Sequence, residues 1–413
     1  MIFFKKVKAG ALQYVLVISV IIALLLFAFI SIIYLQQKLQ TKNTFYKEAI
    51  QNVQIGFNTI SNFPYDKPIE KKLSENELEK TIFLKKHWGV FDIVHISSSI
   101  KNEYFQKIGL IGNHNSKRDA LYLQENNKPL VLVGNTNIKG NVSLPNQGVK
   151  FGNIGGNSFY GSQLIYGKQK ISNSVLPRIN NSASIKSLFE RSYMNDSIQY
   201  FELEEGLKLT QSFNKPTTVH YTQDNVYLSN IALQGNIIIH SKKSITIDRS
   251  AILKDIILIA PTIKILKNTS GNFQAFAKDK ILVEEKCKLN YPSALLLIQN
   301  QKVEKENHIN IGKKTTIKGS IVYLNEKNKP NFDSQIFISE RSTIVGEIYC
   351  NQNLELLGSV YGSVYTNNFI TKQFGSVYIN HIYNGVINSS ELPKQYCGLP
   401  INNSSQKVAK WLY

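Results

Sequence analysis

Short β-branched alternations recur along the second half of the chain at a fixed spacing, and this recurrence restricts the fold more than any other feature. Ile245-x-Ile247, Ile263-x-Ile265 and Ile281-x-Val283 start 18 residues apart, and Ile309-x-Ile311 and Ile336-x-Ile338 follow after 28 and 27. A second element keeps phase with the first. Thr315-Thr-Ile317-Lys-Gly319-Ser-Ile321 and Ser342-Thr-Ile344-Val-Gly346-Glu-Ile348 are 27 apart, and Thr136-Asn-Ile138-Lys-Gly140-Asn-Val142 has the same form far upstream. Gln234-Gly235-Asn-Ile237 is a partial copy, and Gly358, Gly362 and Gly375 each open a Gly-Ser-Val unit.

Fixed-period recurrence marks a repeat architecture. Eighteen residues accommodate one coil of three short strands and three corners, with β-branched positions stacked in ladders and glycine at corners of positive φ. The expected fold is therefore mainly β, a parallel β-helix (solenoid) over 126–390. The longer spacings are read as ordinary coils with extruded loops, from Asn290 to Asn307 and from Asn325 to Asn331. A β-sandwich is the competing reading, but it supplies no reason for in-phase copies.

The amino-terminal part follows different physics. From Ala11 to Leu35 there are 25 residues without a charge, about 37 Å as a helix and long enough for a hydrocarbon core of roughly 30 Å. Tyr34-Leu-Gln-Gln37 follows in place of a small-residue cleavage site, which favours an uncleaved transmembrane signal anchor over a removed signal. Lys5, Lys6 and Lys8 precede the span, whereas Lys38, Lys42 and Lys47 follow it. The nearer cluster, in a tail 1–10, places the amino end inside the cytoplasm and the rest in the cell envelope.

Between anchor and repeat, 36–65 reads as a helical stalk broken by Pro64, and 66–125 as a small mixed α+β unit. Within it, Leu73 to Leu84 is expected to be a short amphipathic helix, with Ser74 as N-cap and Glu77 completing a capping box. The β pattern lapses over 176–215, where Ile185, Leu188, Phe189, Tyr193 and Met194 have helical spacing, so a helical insertion is expected. The tail 391–413 is expected to cover an open end of the solenoid.

Charge narrows the function. Lys+Arg number 48 against 29 Asp+Glu, but only five of the 48 are Arg. Lysine lacks the planar fork that reads phosphate or guanine bidentately, so no nucleic-acid partner is expected. Cys287, Cys350 and Cys397 show no metal or disulfide spacing and are read as buried apolar residues. No histidine pair has ligand spacing, so no metal or cofactor is expected. Gly312-Lys-Lys-Thr315 resembles a P-loop end without its first glycine, and 152–161 is a glycine-rich turn. Asp248, Asp255, Asp279, Glu284, Glu285, Asp333, Glu340, Glu347 and Glu355 are scattered, whereas β-helical lyases and hydrolases need grouped carboxylates. Tyr323, Tyr349, Tyr361, Tyr365 and Tyr378 are ladder residues or, alternatively, platforms for sugars.

The Ile-x-Ile and Thr-x-Ile-x-Gly-x-Ile ladder over 230–385 resembles the bactofilin group, which implies a β-helical core and end-to-end self-association. Lys5-Lys-Val-Lys-Ala-Gly10 before Ala11 and a long apolar helix resembles the leader of minor pilins and pseudopilins, although Val15 stands where most pilins carry glutamate. The expected function is a membrane-anchored extracytoplasmic solenoid with a structural, scaffolding or adhesive role and no catalysis. Its expected partners are the bilayer through 11–35 and either itself or envelope proteins and glycans. The alternatives are a minor-pilin-like subunit of a secretion or pilus machine and a β-helical carbohydrate-active enzyme.

Overall fold

A computed structural model describes residues 9–60, 63–180, 182–190, 198–299, 308–325, 331–401 and 405–412. The chain is mainly β with one long amino-terminal apolar helix. It forms two compact units: Met1–Thr59, Pro68–Leu84 and His95–Lys107, and separately Ile60–Lys67, Lys85–Val94 and Ile108–Tyr413.

In the first unit, α1 (Ala9–Asn58) is one unbroken helix of 50 residues. Its side chains follow two patterns. The large hydrophobic residues from Leu12 to Leu39 are exposed, because this stretch is apolar on every face and has no protein surface to cover it. An 18-residue window within it has a mean hydropathy of 3.2, which makes the helix a candidate membrane span by length and composition. Further along, Ala49, Val53 and Phe57 are buried at the three-to-four-residue spacing of one helix face. Gly56 permits a close approach there: a Cβ would lie 2.8 Å from the Phe83 ring and 3.0 Å from Ile96.

The strand Ile69–Glu70 pairs antiparallel with Ile82 and Phe83, and residues 95–100 and 103–107 extend the same sheet. The helix expected from Leu73 to Leu84 does not form, since Glu79–Trp88 is a strand. Its alternation of buried and exposed positions satisfies a sheet face, and tertiary burial outweighs a modest helical propensity. The capping carboxylate belongs to Glu79, not Glu77. It accepts the Ser74 N–H at 2.6 Å, the Ser74 hydroxyl at 2.7 Å and the Thr81 hydroxyl at 2.6 Å. Burial opposes ionisation of Glu79, but these bonds hold its carboxyl below the usual range.

The second unit is built on parallel ladders. One carries Leu209, Leu233, Leu253, Gly271, Leu289, Ile317, Ile344 and Val360 in successive register. Another carries Ile239, Leu258, Ala275, Leu295, Ile321, Ile348 and Val364. A third carries Val226, Ile245, Ile263, Ile281, Ile309, Ile336 and Leu354. Each turn of chain thus pairs with the next, an arrangement compatible with a β-solenoid.

The order of coils along the stack differs from the order of the sequence. After Val360 the first ladder continues to Ile387 and then to Ile138. After Val364 the second continues to Leu121 and Val142. A coil is therefore completed by segments from opposite ends of the unit, with Val386–Asn388 supplying one side and Leu121–Leu123 another. Leu121–Leu123, placed with the mixed unit above, belongs to this ladder.

Most of the first expected loop is ladder as well, since Lys288–Gln299 is a strand. Its remainder at 300–307, and 326–330 of the second loop, lie outside the described residues. In the insertion expected over 176–215, α2 (Ser182–Ser187) and a following 3-10 turn through Glu190 are helical, and Tyr193 and Met194 lie outside the described residues. Ile198–Tyr200 and Lys208–Gln211, by contrast, are strands of the parallel ladders, not insertion. The carboxy-terminal strand Ser405–Leu412 pairs antiparallel with Ile108–His114. Its alternating pattern, ending in Trp411 and Leu412, finds an open sheet edge there.

Candidate functional site

The repeat residues converge on one core. Ile138, Ile245, Ile247, Ile263, Ile265, Ile281, Val283, Ile309, Ile311, Ile317, Ile336, Ile338 and Ile344 are all at most 3% exposed. The glycines of the repeat form a corner column. Gly319, Gly346 and Gly362 sit in register with φ of +148°, +150° and +154°. A Cβ on Gly346 would lie 1.8 Å from the Gly319 carbonyl oxygen, and one on Gly362 would lie 1.8 Å from that of Gly346. Gly140, φ +122°, occupies the same kind of corner beyond the seam, against Ser389.

A buried polar centre fastens the carboxy-terminal segment beside this column. Arg118 Nε donates to Glu347 Oε1 at 3.0 Å, and the Leu399 N–H donates to Glu347 Oε2 at 2.7 Å. Arg118 also donates to the Tyr396 carbonyl at 3.1 Å. The Tyr396 hydroxyl donates to the Gly319 carbonyl at 3.1 Å. Burial pushes the Glu347 carboxyl up, against the downward pull of the Arg118 charge and the Leu399 N–H. Two residues 229 positions apart are paired here, and no local pattern signals it.

A second centre sits at the hairpin around Gly89. Asp92 accepts from the Tyr65 hydroxyl at 2.9 Å and from Gln406 at 3.2 Å, with Lys85 Nζ 3.7 Å away. His87 Nδ1 lies 2.9 Å from the other carboxylate oxygen. Burial lowers the Lys85 ammonium below its usual range, although Asp92 opposes this.

Most of the remaining acidic candidates are taken up by salt bridges and hydrogen bonds, with Lys267 shared by Glu284 and Glu285 and Lys372 by Asp333 and Glu355. Asp255 pairs with Lys410 at 2.6 Å, Glu284 with Lys264 at 3.0 Å, and Glu285 with Lys267. Asp333 pairs with Lys372 and Glu340 with Lys313, both at 3.2 Å. Asp248 accepts from Ser250, and Glu355 accepts from Ser334. Among the described residues, no three His, Cys, Asp or Glu side chains group as metal ligands.

Tyr323, Tyr349 and Tyr365 are buried, and Tyr349, Tyr365 and Tyr122 stack along one ladder with centroids 6.3 and 6.4 Å apart. Tyr361 and Tyr378 are half-buried. Cys287, Cys350 and Cys397 are free and buried, and burial pushes their thiols up to about 11, 12 and 11. Thr315 of the P-loop-like stretch is buried, and 153–158 is a small antiparallel hairpin.

No family model matches the chain, and no curated protein matches it. Among solved structures, a competence-associated pilin ComZ from Thermus thermophilus is similar at 11% identity, with 100% of this chain and 99% of that one covered and a TM-score of 0.19. A superposition at that level does not establish a shared fold.

Proposed function

We propose that this chain is a membrane-anchored envelope subunit whose parallel body is a β-solenoid held outside the cytoplasm, with a scaffolding or adhesive role. The observation that carries this reading is α1: one continuous helix, apolar and uncovered in its first half and packed by Ala49, Val53 and Phe57 in its second. The first half meets the bilayer through 11–35, and self-association or envelope proteins and glycans are the partners of the body. In-register ladders make a stiff element, which suits a mechanical role for the body better than a catalytic one.

A minor-pilin-like subunit is the second reading, favoured by Gly10 immediately before Ala11 at the head of an uninterrupted helix. The dispersal of Asp248, Asp255, Glu284 and Glu340 into separate contacts gives the carbohydrate-active reading no support.

Protease added outside intact cells should degrade an epitope placed after Trp411, and the protein should sediment with membranes. Recovery of a protease-resistant chain in the soluble fraction would refute the anchored reading. Mass spectrometry of the mature amino terminus separates the two versions: a start at Ala11 supports the pilin-like one, and any other start removes it.

A further inference from the structure

The hairpin at Gly89 carries an arrangement that a mechanical role does not need. His87 Nδ1 lies 2.9 Å from Asp92 Oδ1, and the opposite ring nitrogen, Nε2, lies 3.3 Å from the Ser184 hydroxyl oxygen. Asp92 is buried, with its side chain 8% exposed. Its second oxygen is held by Tyr65 and Gln406, which leaves Oδ1 for the imidazole. Tyr65 also stacks on the His87 ring at 3.9 Å and 21°. An anionic acceptor at Nδ1 assigns the ring proton to that nitrogen and leaves the Nε2 lone pair directed at Ser184.

Apolar packing, independent of the serine contact, sets these parts in place. Ile185, Leu188 and Phe189 of the helical insertion share one buried cluster with Trp88, Val90 and Phe91 of the hairpin. Ser187, one turn on, donates to the Ser184 carbonyl at 2.8 Å and takes no part. The His87 side chain is 28% exposed and Ser184 is half-buried, so neither residue is sealed from solvent.

We propose that Ser184, His87 and Asp92 act as nucleophile, general base and orienting carboxylate toward esters of small acyl groups. The Ser184 oxygen bonds to the carbonyl carbon as its proton passes to His87 Nε2. The bond to the leaving alkoxide then breaks, and that oxygen takes the proton from His87. A water repeats the sequence on the acyl-serine, releasing the carboxylic acid and restoring Ser184. Asp92 is a positioning residue throughout.

The test uses the full chain in detergent micelles, a fluorophosphonate probe, p-nitrophenyl acetate and peptide mass spectrometry, with circular dichroism melting to establish folding. Wild type should carry a single adduct on Ser184 and release p-nitrophenolate. Ser184→Ala should lose both at an unchanged melting temperature, and Ser187→Ala should match wild type. His87→Gln should label roughly 100-fold more slowly, the scale of a lost general base. A folded wild type with no adduct on Ser184, or Ser184 labelling that is unchanged in His87→Gln, overturns the proposal.

Discussion

Gly346→Ala tests the corner column directly. The added Cβ would lie 1.8 Å from the Gly319 carbonyl oxygen and 2.8 Å from the Tyr396 hydroxyl. The first of these is backbone within a neighbouring strand and cannot swing aside. Strands in a ladder are about 4.8 Å apart, so relief of the clash must pry two coils apart. Positive φ for a residue with a Cβ costs roughly 1–2 kcal/mol, overpacking adds roughly 1–3 kcal/mol, and a stretched ladder bond adds about 1 kcal/mol. The sum is about 4 kcal/mol.

Gly375→Ala is the control, because Gly375 also has positive φ, +74°, but nothing lies within 4 Å of its Cβ position. It should cost only the conformational part, about 1 kcal/mol. Native-state amide exchange, read on peptides covering 316–325, 343–350 and 359–366, should accelerate roughly 1,000-fold in Gly346→Ala if opening there follows the local loss. In Gly375→Ala the same peptides should change less than tenfold, near the scale of its smaller cost. Equal effects of the two substitutions would refute the stacked-corner reasoning.

Two further outcomes follow from the buried groups. Arg118→Leu leaves Glu347 buried without its cation and should destabilise by about 3–5 kcal/mol, whereas Arg118→Leu with Glu347→Leu should recover most of that; thermal melts in which the double variant is no better than the single would contradict this. His240 is buried, and desolvation, aided by Lys242 and Lys278, lowers it from 6.5 to about 4. Between those values the unfolded chain binds the proton and the folded chain does not, so stability falls as pH drops from about 6.5 to about 4, by roughly 2–3 kcal/mol. His240→Gln should flatten urea midpoints across that window, and an unchanged slope would count against it.

The repeat was legible because its cause is local. A half-buried strand must alternate, and a tight corner selects glycine, so Ile317, Gly319, Ile344 and Gly346 carry their own evidence. Thr136-Asn-Ile138-Lys-Gly140 announced membership of the ladder in the same way. The apolar half of α1 was legible for a similar reason, since 25 uncharged residues can satisfy their side chains in few surroundings. The strand at Glu79–Trp88 was missed because local spacing there fits a helix too, and only burial against the sheet decides between them.

What lay beyond the sequence is whatever joins distant residues. Composition and period determined that the chain has an apolar helix and β coils, because those preferences act over a few residues. The position of Ile138 after Ile387, the pairing of Arg118 with Glu347 and the meeting of Ser184 with His87 were decided only by the tertiary structure. Contacts across 97 to 249 positions are selected by packing and desolvation of the whole body, and neither leaves a periodic trace in the chain.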